Sequence, residues 1–175
     1  LDIGSDVAMT LDEMPMYTHS KDQIKIAVEK TSLWAQRCKN EHDKLQKSLP
    51  KNKRQLLFGI TQGGKYKDLR TISITNHLNL NFDGHSIGGF GLGETKQEEQ
   101  NIIKLHKQLL SENKPLYLMG IGDPLEILEA IALGCDCFDS RLPTQNARRG
   151  TLFTSQGKLK LLNKKHEFSK LPIDK

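Results

Sequence analysis

LYLMGIGDPLEILEAIALGCDCFD, residues 116–139, reads as one complete strand–helix–strand unit. LYLMGIG (116–122) is an apolar, β-leaning run. Asp123-Pro124 then opens a helix, with Asp as N-cap and Pro at the first helical position. Gly134 ends that helix, and CDCFD (135–139) is the next strand. Strands that alternate with helices are the repeat of a parallel β/α architecture.

Outward from this unit the same alternation recurs. VAMTL (7–11) is a short strand that ends in Asp12 and Glu13. Helical spacing follows from about Lys21 to Leu49, with Ile24, Ile26, Val28, Leu33 and Trp34 at apolar positions and Ser20 and Asp22 as caps. LLFGI (56–60) is a second strand closed by TQGG, and Tyr66 to Leu78 is helical. HSIGGFGLGE (85–94) is a glycine-rich third strand, and residues 95–112 form a charged amphipathic helix. KSLPKNKR (47–54) is a basic linker, and the tail 151–170 alternates enough for a hairpin around Gln156-Gly157.

Asp12, Gln62, Glu94, Asp123 and Asp139 all fall at or just after the carboxyl end of a predicted strand. In a (β/α)8 barrel those ends converge on one face, where the active site lies. The expected fold is therefore α/β and TIM-barrel-like, with about five parallel strands in a single partial domain over 1–175. Five strands cannot close such a barrel, and the abrupt start at Leu1 suggests that the missing ones precede it. GGFGLG does not match the dinucleotide-binding G-x-G-x-x-G in spacing or position.

Composition narrows the function classes. The chain has 175 residues, 36% hydrophobic and 27% charged, with a net charge of +5. The sequence pI is about 9.1, which permits a polyanionic partner such as RNA. No apolar run is long enough to span a membrane, and no signal segment opens the chain. Three cysteines, Cys38, Cys135 and Cys137, give no even disulfide framework and point to a reducing, cytoplasmic compartment. Cys135 and Cys137 lack the further ligands a metal site needs, so no cofactor is expected within the chain.

FDSRLPTQNARRG (138–150) sets one carboxylate, Asp139, before three arginines. A solvated loop whose charges pair internally would account for it. So would a carboxylate that works on a polyanion.

Several stretches together resemble a known family. GSDVAMTLDE, FGITQGG followed by YKDLR, DGHSIGGFGLGE, YLMGIGDPLEILEAIALGCDCFDS and LPTQNARRGTLFT are similar to the tRNA-guanine transglycosylases, in the family's order and approximate spacing. The match runs from Gly4 to about Asn163. The resemblance implies an irregular (β/α)8 barrel with an inserted zinc subdomain. It also implies exchange of the wobble guanine of certain tRNAs for a 7-deazaguanine, preQ1 or queuine, through a covalent enzyme–RNA intermediate.

On this resemblance Asp139 is the nucleophile that attacks the ribose C1′ carbon, as the carboxylate does in retaining glycosidases. Asp12 matches the acid that recognises the purine, and Gln62 the glutamine that meets the base carbonyl. Gly89 and Gly91 let the flat base approach the backbone, while Phe90 and Met119 are apolar walls. Leu92, at least as large as the Val of preQ1-using members, restricts space for queuine. Arg148, with Arg149, Thr144 and Gln145, matches the stretch on the anticodon loop. Expected partners are thus tRNA and a guanine-type base, no membrane, and a homodimer as a candidate assembly.

The match is incomplete. The TDSGG-like stretch with the second catalytic acid and the C-x-C-x-x-C zinc cluster do not occur in this chain. Zinc is expected only in the complete family protein, and this chain alone is expected to be inactive. Gln145 stands where most members have Arg, and Met14 where bacterial members often have Cys. Two other readings stay open: a non-catalytic RNA-binding subunit of the same family, which the presence of Asp139 argues against, and an unrelated (β/α)8 sugar or phosphate enzyme.

Overall fold

A computed structural model describes residues 3–90, 93–110 and 113–174. It divides into two compact units, one up to Asp139 and one from Ser140 onward. The first holds β1 (Val7–Met9), α1 (Lys21–Gln46), β2 (Leu56–Thr61), α2 (Lys67–Leu78), β3 (Gly84–Ile87), α3 (Lys96–Leu109), β4 (Leu116–Leu118), α4 (Pro124–Ala132) and β5 (Cys137–Phe138). The second holds α5 (Leu142–Arg148) and the hairpin β6 (Thr151–Thr154) and β7 (Gly157–Lys160).

The five strands of the first unit are all parallel and lie in chain order, β1-β2-β3-β4-β5. A doubly wound sheet reverses its order at a switch point, and this one never does. With crossovers of one hand, an unreversed order leaves every helix on the same face. The helices do follow one another there: α1 packs on α2 and α2 on α3. This is an arc of a β/α barrel, as the strand–helix alternation predicts.

Side chains alternate across a strand, so each strand feeds two environments. On the helix side Leu57 and Phe82 close on Ala35 of α1. Further along, Ile87, Leu116 and Leu118 pack with Ile102 and Ile103 of α3 and Ala130 of α4. Thr61 belongs to this side too, its hydroxyl lying 2.8 Å from His106 Nε2. The intervening positions, Phe58, Ile60, Ser86, Tyr117 and Cys137, therefore face the other way, toward the barrel interior. Ser86 accordingly reaches Met9 Sδ on β1.

The caps are where sequence places them. Ser20 and Gln23 form a reciprocal capping box at the start of α1. The Asp123 carboxylate accepts from Leu125 N at 3.1 Å at the start of α4. Helix α1 stops at Gln46, short of the expected Leu49: Ser48 folds back on the Leu45 carbonyl, and Pro50 cannot extend the helix.

The third strand also needs correction. It ends at Ile87 rather than Glu94, because Gly88 makes the last ladder contact, N to Thr61 O at 3.1 Å, and Gly89 turns away at φ +80°. Residues 142–148 are helical, with Pro143 in the first turn. The hairpin forms as expected, with Gly157 at φ +101° beside its turn, but ends at Lys160.

Candidate active site

The register brings Thr61, Ile87, Leu118 and Phe138 into one row across β2 to β5. Each lies on the helix side. One residue further along each strand comes Gln62, Gly88, Met119 and Asp139, all on the interior side. Asp12, three residues past β1, joins this row through Gln62: the amide Nε2 donates to Asp12 Oδ2 at 2.6 Å. Four of the sequence-predicted residues thus lie at the carboxyl ends of the strands, where a barrel keeps its chemistry, and Asp12 and Gln62 among them touch.

Gln62 is fully buried. Its main-chain N–H donates to Ser73 Oγ at 3.0 Å, which ties the turn after β2 to α2. Among the described residues its Oε1 has no hydrogen-bond partner. The carboxylate of Asp12 only accepts, so the amide orientation is set: nitrogen toward Asp12, oxygen away. The glycines beside it leave no room for side chains. A Cβ at Gly88 would stand 2.5 Å from Gln62 Nε2, and one at Gly89 would stand 2.7 Å from Oε1.

Behind Gly89 lies Arg70, wholly buried on α2. Its Nε donates to Gly64 O at 2.8 Å and its Nη1 to Thr61 O at 3.2 Å, so it grips both sides of the turn that carries Gln62. The guanidinium carbon stands 5.3 Å from the centre of the Phe90 ring. Burial pulls the Arg70 pKa down to about 9, opposed by the charge of Glu94, which leaves it a cation at neutral pH. Phe90 itself is only 6% exposed and packs in the core with Ile87 and Leu118. Its ring is a support beneath the glycine segment. Gly91 and Leu92 lie outside the described residues.

Asp139 is exposed and accepts from the main-chain N–H of Gly120 at 3.2 Å. The phenol of Tyr117 lies close enough to the same carboxylate to feel its charge. Burial first, then the charge of Asp139, pushes the Tyr117 pKa up to about 12. A backbone N–H thus orients an open carboxylate beside a neutral phenol, an arrangement compatible with a nucleophile. Met119 is half-buried between these groups in sequence, its N–H donating to Ile87 O at 3.2 Å. Sequence reasoning passed over Tyr117, Gly120 and Arg70. Period-two alternation back from Met119 and Asp139 would have found Tyr117. No comparable signal marks Arg70, which reads as an ordinary surface residue of a helix.

In the second unit, Thr144, Gln145, Arg148 and Arg149 share helix α5 and its C-terminal end. Thr144 Oγ1 donates to Arg141 O at 2.9 Å, and the Gln145 amide oxygen, assigned by its neighbours, accepts from Arg149 Nη1 at 3.2 Å. Arg148 and Arg149 are exposed. Among the described residues no group of three or more His, Cys, Asp and Glu side chains could hold a metal ion. Cys38, Cys135 and Cys137 are free thiols. No described helix is long and apolar enough to cross a membrane.

A family model described as queuine tRNA-ribosyltransferase matches residues 1–175. A queuine tRNA-ribosyltransferase of Bacillus subtilis is 43% identical over 172 residues, 98% of this chain and 43% of the relative. One from Clostridium tetani is 43% identical over 174 residues, 98% of this chain and 46% of the relative. One from Aliivibrio salmonicida is 40% identical over 173 residues, 99% and 44%. The chain spans less than half the length of these curated relatives. With a match over its whole length, the chain belongs to the queuine tRNA-ribosyltransferase family.

Proposed function

We propose that the complete protein containing this chain is a tRNA-guanine transglycosylase, which exchanges a wobble guanine in tRNA for a 7-deazaguanine. The observation that carries this reading is the Asp12–Gln62 pair in one row with Asp139 at the carboxyl ends of one parallel sheet. A carboxylate beside a glutamine amide offers acceptors for guanine N1–H and the exocyclic amine, and a donor for the 6-carbonyl. Gln62 Nε2 carries two hydrogens, so it can keep Asp12 and meet the carbonyl together.

The chemistry follows from the third residue. A carboxylate oxygen of Asp139 bonds to ribose C1′ as the C1′–N9 bond breaks, its electron pair leaving with the purine, which takes a proton. The incoming base then loses a proton, bonds to C1′ through its corresponding nitrogen, and returns Asp139 as a free carboxylate. Two displacements preserve the anomeric configuration, as in retaining glycosidases. The proton donor is assigned to the family's second acid, which this chain does not contain. The wobble nucleotide must leave its stack to reach such a site.

The substrate reading extends to preQ1 or guanine in preference to queuine, on the bulk of Leu92. Thr144, Gln145, Arg148 and Arg149 are proposed contacts for the anticodon loop, and the cytoplasm the compartment, since the substrate is tRNA. The chain is read as one partial barrel domain, and a homodimer is a candidate assembly. Zinc has no fitting donor set among the described residues. Incorporation of labelled guanine into tRNA by the complete protein tests the proposal. Asp12→Ala should abolish incorporation, and a purified, folded wild type that incorporates none would overturn it.

A further inference from the structure

Arg70 is wholly buried, and its two main-chain hydrogen bonds leave one guanidinium nitrogen over. An apolar side chain of similar length would fill the same space without the cost of burying a cation. Among the described residues its Nη2 has no hydrogen-bond partner. Neither does the Oε1 of Gln62, and both atoms are shielded from solvent. The two face the same small space behind Gly89: the position a Cβ would occupy there lies 2.7 Å from Oε1 and 3.5 Å from Nη2. One is an unused acceptor and the other an unused donor.

We infer that Arg70 is a positioning residue that fixes the Gln62 amide for a 6-oxo purine and against a 6-amino one. This rests on the proposed base exchange. With nitrogen forward the amide donates to a purine carbonyl; turned over, it would present an oxygen and accept from a purine amine. Asp12 opposes the turned form from the front, since a carboxylate repels an amide oxygen. Arg70 opposes it from behind, since a guanidinium has only donors and would face the amide nitrogen. The same side chain grips the carbonyls of Thr61 and Gly64 on either side of Gln62 and lies against Phe90, which follows Gly89. The cation therefore holds the backbone around the residue that reads the base and faces the oxygen side of its amide. A mispaired buried polar group is the usual source of strong discrimination between such analogues.

The test uses the complete enzyme, guanine exchange into tRNA, and 2,6-diaminopurine as a competing 6-amino base. For Arg70→Met, the KM for guanine should rise roughly tenfold, more than kcat falls. The inhibition constant of 2,6-diaminopurine should rise less or fall, so the preference for guanine narrows. Arg70→Lys should give an intermediate preference. If Arg70→Met does not fold, Arg70→Gln takes its place with the same expectation. A guanine preference equal to wild type in a folded variant overturns the assignment, as does an equal loss for both bases. A wild type that exchanges no guanine would sink the proposed function; an active wild type with unaltered variants sinks only the role of Arg70.

Discussion

Gln62 Nε2 donates to Asp12 Oδ2 at 2.6 Å, bridging the loops that leave β1 and β2. The two residues are fifty positions apart in sequence and meet only because β1 and β2 are parallel neighbours with Met9 opposite Phe58. Their approach has no slack, because Gly88 and Gly89 close the site from the β3 side.

Gly89→Ala should therefore disturb Gln62 directly. The new Cβ would stand 2.7 Å from Gln62 Oε1 on a backbone at φ +80°. The backbone strain alone costs about 1–2 kcal/mol. Thermal unfolding should show that loss, and the KM for guanine should rise in the complete enzyme. A variant with wild-type KM would show that Gln62 does not need this packing.

The strand–helix order was legible because each apolar run is bounded by an identifiable stop: Gly134 after α4, Ser20 before α1, TQGG after β2. The placement of Asp12, Gln62 and Asp139 at strand ends was legible for the same reason, since all three follow apolar runs. What eluded sequence reading had no such marker. HSIGGFGLGE looks like one strand because its glycines interrupt no apolar pattern, yet Gly89 takes a left-handed turn there. Helix α5 is short, arginine-rich and without apolar periodicity. Arg70 looks like a surface residue until its carbonyl partners are known.

Tyr117→Phe tests the support of Asp139. The phenol lies beside this carboxylate, whose charge helps to raise the Tyr117 pKa. The expected outcome is a fall in kcat of roughly tenfold with a smaller change in KM. Single-turnover adduct formation measures it. Unchanged adduct formation would make the tyrosine a bystander.

Three buried histidines set an acid limit on stability. Burial, the leading cause in each case, holds His77 and His85 down to about 4 and His106 to about 3, against an ordinary value of 6.5. The folded protein thus prefers them neutral, while the unfolded chain protonates them near 6.5. The stability they provide is complete above that value and is lost as pH falls from 6.5 toward 4 and 3. Urea unfolding at pH 7 and pH 4.5 checks this, and equal midpoints would contradict it.

The exposed arginines of α5 predict a salt-dependent affinity for RNA. Log K against log[salt] should slope by about −0.7 per phosphate neutralised on a single-stranded loop. Arg148→Ala should flatten that slope by about one such increment. A tRNA affinity independent of salt would remove these residues from the interface.

The most direct measurement is covalent trapping. The complete protein, incubated with substrate tRNA and without an incoming base, should form an adduct that survives denaturing electrophoresis, and Asp139→Asn should form none. Full adduct yield from the Asn variant would show that Asp139 is not the nucleophile and that the row of residues at the strand ends has another purpose.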